Sequence, residues 1–278
     1  MSDAHTINIQ GINMKIYKKS LLWLTGLLFL LPTVTFAEHF WLGVFSKSTP
    51  YTTQTFISSE SLTNFNSSIE DKWSKGFFIT DVEYGYDVWM AVLSKGTGYK
   101  QQAYIHHRDW KKFKASVSAY KQKGFDLINI ENGAGYWIGV LTKGSKYTDV
   151  ILDSTRYWDD FRKIIRKRWK EGYSLIDVEP AEGSWKGIFA KNTGYETQSY
   201  NSLNDWDGVD IIVRKRWKEG FKLRSIEYGE GKWFCLFVKD STARKESYDT
   251  NHKLYKFKDT IQKRWKKGFH LIDIAQGR

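Results

Sequence analysis

Tryptophan recurs at positions 41, 89, 137, 185 and 233, each 48 residues after the last, with no insertion or deletion between copies. A second series keeps the same period: Gly76, Gly124, Gly172, Gly220 and Gly268, each followed by an aromatic residue, Phe77, Phe125, Tyr173, Phe221 and Phe269. Self-similarity at a fixed period of this size marks a repeat architecture, in which one supersecondary unit buries its apolar face only against its neighbours. Five such units account for residues 38–278, which read as a single five-repeat ring domain with Trp strands starting at 41, 89, 137, 185 and 233.

Residues 1–37 stand outside the repeat. Lys15, Lys18 and Lys19 precede the apolar stretch Leu21 to Leu31, and Thr35-Phe36-Ala37 offers the small residues beside which a signal peptidase cuts. This is the layout of a secretory signal peptide, and Met14 is an alternative start for it. The apolar stretch is shorter than the roughly 20 residues that span a bilayer, so an exported product, periplasmic or extracellular, is expected. Removing the three lysines and the one aspartate of residues 1–37 lowers the formal charge from +12 to +10. That balance suits an anionic surface, a glycan or an acidic protein partner; nucleic acid is a poor partner for an exported chain. Cys235 is the sole cysteine, so no internal disulfide forms and stability outside the cytoplasm rests on packing.

Within a unit, Trp89-Met90-Ala91-Val92-Leu93 reads as a strand buried on both faces. The turn Lys95-Gly96-Thr97-Gly98 follows, and Tyr99 to Ile105 alternates as a second strand. Trp206, Val209, Val213 and Trp217, like Trp158, Phe161, Ile165 and Trp169, form one apolar stripe at helical spacing. Asp109 and Asp205 stand where an N-cap is useful, and the repeated glycine suits the left-handed residue that ends a helix. Tyr173 to Val178 is a third strand. The predicted fold is therefore α+β, a five-fold α/β propeller of strand-strand-helix-strand units. The chain termini close it, because the strand at Trp41 lacks a partner before it and Phe269 to Ile274 lacks one after it. The alternative, a five-bladed all-β propeller, requires the Trp stripe not to be helical.

The runs Lys95-Gly-Thr-Gly-Tyr-Lys-Gln-Gln-Ala-Tyr104 and Arg216-Trp-Lys-Glu-Gly-Phe221 resemble a Trp/Gly tandem-repeat region, a domain of unknown function. That region is found C-terminal to the kinase domain in plant casein-kinase-I-like kinases and in bacterial tandem-repeat proteins. The resemblance covers residues 40–278 and implies a repeat module without an established chemistry; the kinase itself is absent. By topology and repeat count the ring also resembles the pentein architecture, which includes arginine-modifying enzymes and a ribosomal anti-association factor. That resemblance implies a cysteine nucleophile with histidine and acidic partners.

Cys235 is then the one catalytic candidate. Its register equivalents are Gly43, Ala91, Gly139 and Gly187, which points instead to a small-residue site where backbones approach closely near the ring axis. His39, His106, His107, His252 and His270 share no metal-ligand spacing, and no H-x-x-x-H, C-x-x-C, Walker loop or G-x-S-x-G occurs. No metal or cofactor is expected. Lys47, Lys95, Lys143, Lys191 and Lys239 recur after the Trp strand. A ring of these ammonium groups would draw an anion, unless the repeated acids Glu83, Glu131, Glu179 and Glu227, or Asp81, Asp177 and Asp273, neutralise them. Tyr51, Tyr99, Tyr147 and Tyr195, with Gln54, Gln102 and Gln198, suit a sugar or peptide by stacking and directional hydrogen bonds. The fifth unit departs here, with Ala243 and Glu246.

Basic helix ends, Arg166-Lys-Arg-Trp169, Arg214-Lys-Arg-Trp217 and Lys263-Arg-Trp265, complement the helix dipole and face solvent. The expected function is a secreted or periplasmic, monomeric, non-enzymatic binding module for an anionic or glycan-like ligand. The alternatives are a pentein-like enzyme using Cys235 and a host or surface interaction protein using the basic outer helices.

Overall fold

In a computed structural model, residues 38–47, 49–242 and 245–278 are described. The segment expected to be a signal peptide, with Met14, and Ala243 lie outside them. Among the described residues no helix is long and apolar enough to cross a membrane.

Among the described residues the order begins with β1 (Phe40–Ser46) and then runs four times through the same sequence of elements. The first pass is β2 (Thr53–Ser59), α1 (Leu62–Ser74), β3 (Phe78–Gly85) and β4 (Val88–Lys95). The second is β5 (Gln101–His107), α2 (Trp110–Gln122), β6 (Asp126–Gly133) and β7 (Tyr136–Lys143). The third is β8 (Val150–Thr155), α3 (Trp158–Lys170), β9 (Ser174–Ala181) and β10 (Ser184–Ala190). The fourth is β11 (Thr197–Leu203), α4 (Trp206–Lys218), β12 (Lys222–Gly229) and β13 (Lys232–Lys239). A last pass, β14 (Glu246–Asn251), α5 (Leu254–Lys266) and β15 (His270–Gly277), lacks its own Trp strand.

Each Trp strand is the centre of a three-stranded antiparallel sheet, as in β2-β4-β3 and β5-β7-β6. Its position between two partners explains why its side chains are buried almost without interruption. Two-residue turns with positive φ, such as Ala134-Gly135 and Glu230-Gly231, join the third strand to it; this geometry matches the natural twist of a hairpin. β1 supplies the missing centre of the fifth sheet, pairing Trp41 with Asn251 of β14 and Phe40 with Gly277 of β15. The third strands touch in cyclic order, β3 to β6, β6 to β9, β9 to β12, β12 to β15, and β15 back to β3. The fold is α+β, five repeated units of a three-stranded sheet and a helix.

The Trp stripe is helical in all five units, which removes the all-β alternative. Asp109 and Asp205 cap their helices by accepting the N–H of Lys112 and Gly208. At the other end, Gly76 takes φ +77°, and Phe77 N–H reaches back to the Lys72 carbonyl at 3.1 Å, the closure typical of a left-handed helix stop. Each helix lays its aromatic or branched stripe on its own sheet, as with Phe65 over Trp89 and Phe113 over Trp137.

One irregularity repeats in all five third strands. The register against the Trp strand skips Thr80, Ile128, Ile176, Arg224 and Ile272. A bulge of this kind bends the strand and re-aims the extra side chain.

Candidate functional site

The turn after each Trp strand repeats a hydroxyl two residues before the tyrosine. Thr49, Thr97, Ser145 and Thr193 accept the backbone N–H of Tyr51, Tyr99, Tyr147 and Tyr195 at 3.1 to 3.3 Å. This local bond fixes the turn and so the direction of each tyrosine. Further bonds fasten the hydroxyls to the start of the third strand: Thr49 to His270, Ser145 to Asp126 and Thr193 to Ser174.

All four tyrosines line one cavity of about 370 Å³, together with three of these hydroxyls, Lys146, and the bulge residues Thr80, Ile128, Arg224 and Ile272. Arg224 is the only charged member of the bulge series. Its Nε donates to the Tyr195 hydroxyl at 3.0 Å, and Lys146 lies 5.8 Å from the Tyr195 ring centre. Burial raises the Tyr99 and Tyr147 hydroxyls above their ordinary range, so these two act as neutral hydrogen-bonding groups.

Next along each third strand comes a buried polar tier: Asp81, Asn129, Asp177, Ser225 and Asp273. Three carboxylates each accept a backbone N–H from the neighbouring sheet: Asp81 from Ile274 at 2.6 Å, Asp177 from Ile130 at 2.8 Å, and Asp273 from Ile226 at 2.9 Å. Asn129 Nδ2 bridges Asp81 and Asp177. Two residues further on, Glu83, Glu131, Glu179 and Glu227 form a second buried tier. Burial raises every one of these carboxyls, Asp177 to about 7 and Asp273 and Glu179 to about 8, and the neighbouring acids raise Asp81 and Glu83 further. Arg224 opposes that rise in Asp81, Asp177 and Asp273. Lys186 stands where other units carry Leu42, Met90, Ile138 and Phe234. Its ammonium sits 3.8 Å from the Trp137 ring centre, and burial lowers it to about 8 despite the attraction of Glu179.

The five repeated lysines do not line the cavity. Each ammonium covers the aromatic residue that follows the repeated glycine: Lys47 over Phe269, Lys95 over Phe77, Lys143 over Phe125, Lys191 over Tyr173 and Lys239 over Phe221, at 4.5 to 4.9 Å. The glutamines join neighbouring sheets. Gln102 accepts the indole N–H of Trp73 and the N–H of Ile79 and donates to the Ile79 carbonyl. Gln198 does the same for Trp169 and Leu175, and Gln54 for Trp265 and Leu271. Glu246 keeps one of these contacts, accepting the N–H of Leu223.

Cys235 is fully buried, its thiol pushed up by burial. Its side chain meets the helix, not a close approach of backbones as its small register equivalents suggested. The space at Gly43 and Gly139 is taken by the helix rings of Phe257 and Phe113, whereas Cys235 packs with the smaller Val209. The histidines are engaged locally, His107 with Ser116, His252 with the His39 carbonyl, and His270 with Thr49. At the basic helix ends, Arg168, Arg216 and Arg264 turn inward to Asp153, Asn201 and Asp249, while Arg166, Lys167, Arg214, Lys215 and Lys263 are exposed.

Of the residues singled out from the sequence the four tyrosines line this cavity, whereas Arg224, the hydroxyl series and the burial of the acids were not anticipated. A lone arginine in a column otherwise Thr, Ile, Ile and Ile was the available signal. No curated protein matches the chain. The chain belongs to the family described as Domain of unknown function (DUF7477), whose model matches residues 104–277, from β5 into β15.

Proposed function

We propose that the five units form an α/β propeller, comparable in unit order to the penteins, that works as an exported, non-enzymatic binding module. The carrying observation is the convergence of Tyr51, Tyr99, Tyr147, Tyr195 and Arg224 on one cavity of about 370 Å³. Such a volume falls in the range of roughly 300–1,000 Å³ typical of small-ligand sites. Tyrosine faces stack on the apolar faces of a sugar ring, and their hydroxyls with Thr97 and Ser145 meet its polar edge. Arg224 gives a planar, permanently charged donor set suited to a carboxylate. A small acidic glycan, such as a uronic acid unit, matches all three features.

The test is calorimetric titration with uronic-acid and matched neutral oligosaccharides. Binding of the acidic set, weakened at least tenfold by Arg224→Gln and weakened by added salt, is expected. Equal binding of both sets, or an unchanged affinity in Arg224→Gln, overturns the reading.

The exposed Arg166, Lys167, Lys170 on α3 and Arg214, Lys215, Lys218 on α4 support a second role, adhesion to an anionic surface. Charge reversal at Arg166, Lys167, Arg214 and Lys215 should abolish retention on anionic vesicles while leaving the cavity ligand bound. Unchanged retention removes this role.

A further inference from the structure

The junction between α2 and β8 departs furthest from the pattern by which three of the other junctions are made. At three junctions a helix tryptophan, Trp73, Trp169 or Trp265, donates to a glutamine of the next sheet at 2.8 to 2.9 Å. The indole also meets an aromatic ring two residues past the glutamine position, as in Trp169 with Tyr200, Trp265 with Phe56 and Trp217 with Tyr248, at 5.8 to 5.9 Å. At the α2–β8 junction the equivalents are Lys121, Val150 and Leu152. Indole, amide and second ring are lost together.

A groove of about 290 Å³ lies there, walled by Val117, Phe125, Leu127, Val150 and Leu152. Lys121 does not fill it as an indole would, because its ammonium is drawn to the Val150 carbonyl and to Asp149. Asp149, which precedes Val150 in the chain, is thereby paired with Lys121 and also accepts the Tyr173 hydroxyl. Lys114, also on the lining and exposed, has its ammonium 5.8 Å from the Trp110 ring centre and makes no ion pair among the described residues. The groove therefore combines apolar walls, the place of a missing bicyclic ring, and on its lining an exposed cation with no acidic partner among the described residues.

We propose that this groove is a second ligand site, independent of the tyrosine cavity, for a flat aromatic carboxylate of about indole size. The ring lies against Val117, Phe125 and Leu152, where the other junctions place an indole beside an aromatic partner. The carboxylate pairs with Lys114. Apolar contact supplies most of the affinity, and the charge selects the anion over a neutral ring.

The experiment titrates the full chain with indole-3-acetate and with neutral indole, read by ligand-observed NMR. Saturable binding of indole-3-acetate is expected, several-fold tighter than indole, with the difference lost in Lys114→Gln. The triple variant K121W/V150Q/L152Y restores the repeat's own side chains and should abolish binding while holding or raising the melting temperature. Leu152→Tyr alone fills part of the groove and serves if the triple variant does not fold. Absence of saturable binding to the native chain overturns the proposal. So does undiminished binding in a folded filled variant, or equal affinity for indole and indole-3-acetate.

Discussion

Asp273 Oδ2 accepts the backbone N–H of Ile226 at 2.9 Å across the boundary between the sheet closed by β1 and the sheet before it. The bond needs only an acceptor, which a protonated carboxyl also provides, so these clamps between sheets do not require charge. Burial raises Asp273 to about 8, Glu179 to about 8 and Asp177 to about 7, whereas in the unfolded chain these groups titrate near 4. Folded protein thus holds more protons than unfolded protein between about pH 4 and 8, and stability falls as pH rises through that window. The expected outcome is a melting temperature that climbs from pH 8 to pH 5. Asp273→Asn, which keeps a carbonyl acceptor, should flatten the climb and stabilise the protein at pH 8 by on the order of 1 kcal/mol. A melting temperature that rises with pH would refute the protonated clusters.

Gln102 is a joint between sheets. Replacing it by leucine strips partners from the Trp73 indole N–H and from both backbone groups of Ile79. Leaving part-buried polar groups unpaired should cost about 3 kcal/mol. Denaturant unfolding of Gln102→Leu measures it, with Val150→Ala, at the junction that lacks the latch, as the milder comparison.

The fold was legible in the sequence because every unit solves the same problem with the same residues. Trp89 and its equivalents must be central, since both faces of the strand are apolar, and the stripe from Trp206 to Trp217 has no period but a helical one. The site was half legible. Tyr99 and its equivalents advertise themselves by register, but their convergence depends on the hydroxyl turn at Thr97, whose residues look like ordinary loop polarity. The repeated lysines and acids misled for a physical reason. Sequence gives charge and spacing but not direction, and the bulge at Thr80 and its equivalents turns the side chains of the residues beyond it. Asp81 thus points to the Ile274 amide; Lys95, at the end of the neighbouring β4, lies over the Phe77 ring instead of an acid.

Arg224 lies on the bulge of β12 and holds down the acidity shift of three aspartates. Arg224→Met removes that opposing charge, so these carboxyls shift further upward. The loss of stability should be larger at pH 8, where ionising them is demanded, than at pH 5, where they are protonated in any case. Denaturant curves at the two pH values check this; an equal loss at both would assign Arg224 a packing role alone.

Gly43 and Phe257 form a pair that the repeat itself has varied. A Cβ on Gly43 would lie 2.8 Å from Leu271 Cδ1 and 3.0 Å from Phe257 Cζ. At the equivalent place in the preceding sheet, Cys235 is accommodated because the helix offers Val209, which shares its cluster. Ala91, one methyl group larger than glycine, still coexists with Phe65. Gly43→Cys should therefore destabilise by about 1–3 kcal/mol through overpacking, and Phe257→Val should do so by leaving a cavity. Together they recreate the Cys235–Val209 solution, so the double variant should be more stable than the sum of the two losses predicts, by about 1 kcal/mol or more. A full double-mutant cycle in denaturant measures the coupling. Strict additivity would mean that the small residue at 43 answers to Leu271 and the sheet, and that Cys235 owes its place to something other than the smaller helix residue across from it.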